Sequence, residues 1–124
     1  MMRSLVTSLV RVMPDSKYNY RKFVGLPYQE PFGCFQLVRH VYKEMYNLPI
    51  RDIKDIAVKV RDPQEGDVVL FDGEVWHVGL VIREGEMIHC YRGGTSCVES
   101  YLTMRWRNRI VGFYRHVQLQ GALA

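Results

Sequence analysis

Apolar side chains recur at helical spacing in the first half of the chain. Between residues 34 and 46 they fall at i, i+3, i+4 and i+7, at Cys34, Leu37, Val38, Val41 and Met45. This period predicts a helix over residues 34–46 that buries one stripe and ends at Asn47 and Pro49. A shorter helix is predicted over residues 15–24, and Gly25 begins the break between the two.

The second half of the chain carries short β-rich runs instead of helical periods. Five strands are predicted, over residues 66–71, 74–82, 86–91, 97–101 and 109–116. Asp72-Gly73 and Arg83-Glu84-Gly85 supply the turns on either side of the second strand. Helices followed by consecutive strands predict an α+β domain in which the N-terminal helices pack on a small antiparallel sheet.

Length and composition indicate one globular domain. The 124 residues are 48% hydrophobic and 24% charged, which suits a single domain over residues 1–124 and excludes an intrinsically disordered chain. Residues 1–14 are predicted to form an apolar arm that contains Arg11, lacks a small-residue cleavage site and is too short to span a membrane. We therefore expect a protein made in a cytoplasm without a signal peptide.

The net charge does not identify a partner, and the cysteines bear on redox state and metal binding. The net charge of +4 permits an acidic partner, such as a cell-wall polymer or a nucleic acid, and selects neither. Residues 105–109 could bind phosphate or an acidic wall polymer but are better explained as a solvated basic turn, and we expect no nucleic-acid partner. An odd number of cysteines predicts reduced thiols, with pairing of Cys90 and Cys97 as the alternative. No two histidines or cysteines have the short spacing that zinc sites use, so we expect no metal.

Two histidines lie in apolar strands, where an unpaired imidazole is costly to bury. A three-residue turn over residues 83–85, with its glycine at positive φ, would pair Ile82 with Glu86. That register puts His77 and His89 diagonal to each other on one face of the sheet, close enough for the rings to touch. The alternative for each is a core histidine held by a backbone carbonyl.

Cys34 is the candidate nucleophile because it begins the predicted helix. Unpaired N–H groups and the positive end of the macrodipole stabilise a thiolate, and the same groups can bind the oxyanion formed on attack at a carbonyl. The alternative is a buried structural cysteine. In a cysteine hydrolase His77 would take the thiol proton and His89 would orient the His77 ring. These roles require the first turn of the helix to pack over the face of the sheet that carries the two histidines.

Several segments, taken in order, form a recognisable set over residues 16–116. They are Gly25-Leu26-Pro27-Tyr28, Cys34 with Leu37-Val38-Arg39 and Val41-Tyr42, Gly66-Asp67-Val68-Val69-Leu70-Phe71, His77-Val78-Gly79 followed by His89, and Trp106-Arg107-Asn108-Arg109 with Gly112-Phe113-Tyr114-Arg115. The set resembles the NlpC/P60 family, and within it the short members encoded in bacteriophage tail-gene clusters.

The resemblance implies a papain-like fold, a triad of Cys34, His77 and His89, and hydrolysis of an amide bond in peptidoglycan stem peptides. It implies no metal and no organic cofactor, and it places Tyr28 in the lining of the site, where the side chain would help to hold the oxyanion or the substrate. Other phage tail-tip proteins would be partners. The protein would be made in the bacterial cytoplasm and would reach the wall on the virion tail.

Two residues depart from the family pattern. Gly33 stands where the family usually has Asp, although it can still cap the helix, and Gln36 stands where the family usually has a small residue. These departures favour an alternative, a structural tail-tip protein that keeps the fold with little or no activity. A host cytosolic amidase acting on a non-wall amide is a third interpretation.

Overall fold

A computed structural model describes residues 19–73 and 75–119, apart from the side chain of Ile53. Helix α1 spans Gly33–Val41 and continues as a π-helical turn, Tyr42–Tyr46, and α2 spans Met104–Arg107. Short 3-10 helices span Tyr20–Phe23 and Ile53–Ile56. The strands are β1 (Val58–Val60), β2 (Val68–Phe71), β3 (His77–Arg83), β4 (Glu86–Cys90), β5 (Ser96–Ser100) and β6 (Ile110–Arg115). Within the described ranges no helix combines the length and apolar character needed to cross a bilayer.

The strands form one antiparallel sheet in the order β1-β6-β2-β3-β4-β5, which confirms the predicted α+β fold. The predicted helix over residues 34–46 is confirmed, with its start one residue earlier at Gly33 and Asn47 at φ +54° after its end. Strand β1 was not predicted because a three-residue strand carries too little alternation. The predicted arm at residues 1–14 and the start of the predicted helix at residues 15–24 lie outside the described residues, and a 3-10 helix capped by Asn19 occupies the rest of that helix.

The β3–β4 hairpin differs from the prediction at its tip. Arg83 pairs with Glu86, so the turn is one residue shorter than predicted, and its glycine has a φ of +84° as expected. A bulge at Ile82 absorbs the extra residue, and Val81 pairs with Met87. Beyond the bulge the register is therefore the predicted one, and side chains fall on the predicted faces.

The two faces of the sheet are buried by different elements. Helix α1 packs on one face, where its apolar stripe meets Val78, Leu80, Ile82, Ile88 and Cys90. On the other face Phe71, Met87 and Trp106 belong to a second cluster. His77 and His89 contact this second cluster, as the alternation of side chains along a strand requires. The predicted packing of the first helical turn over the histidine face is therefore wrong.

Candidate active site

His77 and His89 form a hydrogen-bonded pair on the face of the sheet opposite α1. His77 is the first residue of β3, and its Nε2 lies 2.8 Å from Nδ1 of His89 on neighbouring β4. The ring centroids are 5.1 Å apart. Gly79 leaves room for the pair, because a Cβ there would lie 2.6 Å from the Met87 sulfur and 3.4 Å from the His89 Cβ. The two histidines thus meet as the register predicts, while their roles remain a prediction.

Glu99 extends this pair into a chain of three side chains, a feature that sequence reasoning missed. His89 Nε2 donates to Glu99 Oε1 at 2.8 Å, and the Tyr91 hydroxyl donates to the same oxygen at 2.7 Å. Burial acts to raise the pKa of Glu99, but the hydrogen bonds from Tyr91 and His89 outweigh it and hold that pKa below its usual range. Glu99 is therefore an ionised acceptor behind the histidine pair.

An ionised Glu99 fixes the tautomers of both imidazoles. A carboxylate only accepts hydrogen bonds, so neutral His89 carries its proton on Nε2 and presents Nδ1 as an acceptor. His77 must then donate from Nε2, which leaves its Nδ1 as the basic nitrogen. Burial, followed by the neighbouring His89 and Arg109, lowers the pKa of His77 to about 4, so this ring is neutral at neutral pH. The site therefore contains a base that is ready to accept a proton.

Aromatic rings shield the histidines from water. Trp106, 2% exposed, stacks on His77 with centroids 5.2 Å apart and an interplanar angle of 20°. Tyr91 stacks on the same ring at 5.9 Å and 13°. The Trp106 indole N–H also faces Glu99 and helps to lower its pKa, although its geometry falls short of a regular hydrogen bond. The predicted basic turn is thus a short helix, α2, whose tryptophan encloses the site, with Arg105 left exposed.

Cys34, the predicted nucleophile, is the second residue of α1 and lines a cleft of about 400 Å³ together with His77 and Tyr28. The helix begins after Phe32, which has a φ of +60°. Among the described residues, the N–H group of Cys34 makes no backbone hydrogen bond, so it is available to a ligand in the cleft that Cys34 lines. Within the same residues no hydrogen bond joins Cys34 Sγ to His77. The structure brings thiol and base into one cleft without a direct bond between them.

The departure at Gly33 has a structural explanation. Gly33 is the first helical residue, so the predicted role as helix cap passes to Phe32. A Cβ at Gly33 would lie 2.6 Å from the ring of Tyr28. The missing side chain therefore lets Tyr28 pack directly beside Cys34. The Tyr28 backbone is held in turn by a hydrogen bond from its N–H to the Gly94 carbonyl.

The other two cysteines lie on opposite faces of the sheet and are free, as predicted. Cys90 faces the α1 side and lines a separate cavity of about 490 Å³ that contains neither Cys34 nor His77. Cys97 pairs with His89 across β4 and β5, and its Sγ lies 3.7 Å from His89 Nε2. The larger cavity thus contains neither the predicted nucleophile nor the predicted base, whereas both line the smaller cleft.

Positive charge surrounds the cleft. Arg92, Arg105 and Arg109 line it, against the single carboxylate of Glu30. Glu30 lies 3.3 Å from the Arg92 guanidinium, so Arg105 and Arg109 remain as excess cations. Exposed aromatic surface adjoins them, since the Trp76 side chain in the same lining is 62% exposed. The cleft therefore suits a ligand that carries both carboxylates and apolar groups.

Comparison with known proteins gives one family. Residues 17–115 match the family model for NlpC/P60. An NlpC/P60 family protein from Bacillus cereus ATCC 10987 superposes with a TM-score of 0.65 at 25% identity, over 78% of this chain and 37% of that one. A Staphylococcus aureus protein described as similar to lipoprotein, NLP/P60 family, has a TM-score of 0.62 at 18% identity, over 77% of this chain and 38% of its own. The chain thus spans well under half the length of these two structures, and no curated protein matches it.

Proposed function

Because this chain belongs to the NlpC/P60 family, whose members are generally cell-wall peptidases, we propose that it is a cysteine endopeptidase that cleaves amide bonds in peptidoglycan stem peptides. Cys34 is the nucleophile, His77 the base and His89 its orienting partner. The observation that supports this most strongly is the hydrogen-bonded chain from Glu99 through His89 to His77, because His77 lines the same cleft as Cys34. A core histidine would be satisfied by a backbone carbonyl and would need no carboxylate behind it.

The proposed reaction follows from the tautomers. His77 Nδ1 takes the proton from Cys34 Sγ, and the thiolate forms a bond to the amide carbonyl carbon. The N–H group of Cys34 meets the oxyanion, with the Tyr28 hydroxyl as a further donor. The C–N bond breaks as His77 returns the proton to the leaving amine. Water, deprotonated by His77, then hydrolyses the thioester and restores the thiol.

Charge in the cleft supports a stem-peptide substrate. Stem peptides carry free carboxylates, and Arg105 and Arg109 provide the excess positive charge to hold them. The exposed ring of Trp76 offers an apolar surface for the rest of the ligand. The guanidinium of Arg109 lies 4.9 Å from the centre of the Trp106 ring, which fixes its place beside the base.

The missing hydrogen bond between Cys34 and His77 among the described residues favours the second candidate, a structural tail-tip protein with little or no activity. Catalytic pairs are often loose without substrate, and closing this one needs the Cys34 side chain to turn toward His77. An activity-based thiol probe separates the candidates, because only a competent Cys34 labels ahead of the other thiols. We propose the tail tip as the site of action in either case, supported by the resemblance of residues 106–115 to phage members, with synthesis in the bacterial cytoplasm and delivery by the virion.

Purified muropeptides provide the direct test. Incubation should yield two fragments whose masses sum to the substrate plus one water. His77→Ala should lower the rate by about 10²–10⁴-fold because the base is removed. His89→Asn should retain part of the rate, since an amide oxygen can accept from His77, and His89→Ala should fall lower. His40→Ala, which removes an exposed histidine from α1, is the matched control, and hydrolysis by His77→Ala at the native rate would refute the mechanism.

A further inference from the structure

His89 of the histidine pair lies next to two further potential metal ligands, on the side away from His77. Among the described residues, the ligand atoms of His89, Cys97 and Glu99 all lie within 4.8 Å of one another. His89 Nε2 lies 3.7 Å from Cys97 Sγ and 2.8 Å from Glu99 Oε1. Strand pairing places them so: Cys97 is opposite His89, and Glu99 is two residues along the same face of β5. Sequence spacing could not show this group, because it forms between strands.

The donor set matches a zinc-like cation. An imidazole, a thiolate and a carboxylate are zinc ligands, and a thiolate selects borderline or soft cations over magnesium or calcium. In a tetrahedral site, zinc bond lengths put ligand N and S atoms about 3.6 Å apart and N and O atoms about 3.4 Å apart. The pair of His89 and Cys97 already has this spacing, and Glu99 needs to withdraw by about half an ångström from His89. The half-buried Cys97 and Glu99 leave the fourth position to water.

The surrounding contacts suit a bound metal. Metal-bound histidines usually hydrogen-bond through their other nitrogen, and His89 Nδ1 already meets His77. The Tyr91 hydroxyl donates a hydrogen bond to the Glu99 carboxylate and so holds this potential ligand in place. Arg105 opposes a bound cation, because its guanidinium lies over the Tyr91 ring at 4.7 Å. The two negative charges of the carboxylate and the metal-bound thiolate exceed this single positive charge.

We propose that His89, Cys97 and Glu99 form a binding site for zinc or a similar thiophilic divalent cation, and that the bound cation switches the proposed peptidase off. A metal on His89 Nε2 displaces the proton from that nitrogen to Nδ1. Nδ1 then donates to His77 Nε2, so His77 carries its own proton on Nδ1, the nitrogen that faces the cleft. In that tautomer His77 cannot accept the thiol proton of Cys34. Binding is independent of the proposed function, whereas the inhibition rests on it.

Cobalt(II) added to the reduced 124-residue protein tests the site directly, because a thiolate ligand gives cobalt an intense near-ultraviolet charge-transfer band. We expect a band that saturates at one equivalent and is displaced by zinc. Cys97→Ser should abolish the band, while Cys34→Ala and Cys90→Ser should retain it. Arg105→Ala should tighten binding by several-fold because the opposing charge is removed. A band that survives in Cys97→Ser would overturn the site, and a band lost in Cys34→Ala would place the metal on the nucleophile instead.

The inhibition is tested separately, by the rate at which iodoacetamide labels Cys34. Saturating zinc should slow labelling at least tenfold relative to the metal-free protein, and should have little effect on labelling of Cys34 in Cys97→Ser. Unchanged labelling with a full cobalt band would overturn the switch and leave the site standing. A metal-free protein that binds cobalt as expected but cleaves no muropeptide would refute the proposed function alone.

Discussion

Lowering the pH from 7 to 5 is expected to destabilise the folded protein by about 2 kcal/mol through His77. Burial, followed by His89 and Arg109, lowers the pKa of His77 to about 4, against 6.5 for an ordinary histidine. Between these values the unfolded chain binds a proton that the native protein does not, so the free energy of unfolding rises with pH across this window. The linkage relation gives a penalty of about 2 kcal/mol at pH 5 and about 0.2 kcal/mol at pH 7.

Urea unfolding at the two pH values, followed by tryptophan fluorescence, measures this difference. His77→Gln removes the titrating group and keeps a side chain that can donate to His89. Its loss of stability between pH 7 and pH 5 should be smaller than that of the native protein by about 2 kcal/mol. Burial also lowers the pKa of His89, so part of the pH dependence should remain.

Equal losses in the native protein and in His77→Gln would refute the enclosed, neutral base. A second measurement does not depend on a variant, because NMR titration of the His77 ring in the native protein reports its pKa directly. A midpoint near 6.5 would show that Trp106 and Tyr91 do not keep water from the ring. A midpoint near 4 would show that His77 stays a free base throughout the neutral range, as the proposed proton transfer requires.

Three further changes test the site and its frame. Gly33→Ala should displace the Tyr28 ring, because the new Cβ would lie 2.6 Å from it. The turnover number should fall by a larger fraction than the free energy of unfolding, and an undisturbed ring in a structure of the variant would contradict this. Glu99→Ala should lower kcat/KM by about 10- to 100-fold, the worth of a charge-assisted hydrogen bond to His89, and Glu99→Gln should lose less because its amide oxygen still accepts. Gly85→Val should lower the free energy of unfolding by about 1–3 kcal/mol, because φ is +84° there, and an unchanged urea midpoint would show that the turn can rearrange.

The sequence predicted the histidine pair because the hairpin between β3 and β4 has a short turn with one strong glycine signal. The turn is one residue shorter than predicted, but the bulge at Ile82 restores the predicted register, and the register fixes the face of each side chain. The next connection, residues 91–95, is longer and allows several registers, so nothing in the sequence placed Glu99 or Cys97 beside His89. Trp106 was missed for a different reason: its four-residue helix is too short for a periodic pattern and is held by tertiary contacts.

The error about helix packing also has a physical cause. A nucleophile and a base must approach each other, and the simplest arrangement stacks the helix directly over the base. His77, however, is the first residue of β3, so it lies at the end of the sheet, where the layers on its two faces come together. A cleft at that end can be lined by Cys34 from the α1 side and by His77 from the other.

This arrangement divides the site between two hydrophobic clusters. Cys34 belongs to the cluster that α1 buries, whereas His77 is packed against Phe71 and Trp106 of the second cluster. The first cluster fixes the position of Cys34, and the second fixes the position of His77. The distance between thiol and base is therefore set where the two clusters meet, at the N-terminal end of β3. A cavity made beneath Cys34, as by Val38→Ala, should therefore loosen that alignment and slow turnover. It should leave the pKa of His77 unchanged, because the aromatic rings that lower it belong to the other cluster.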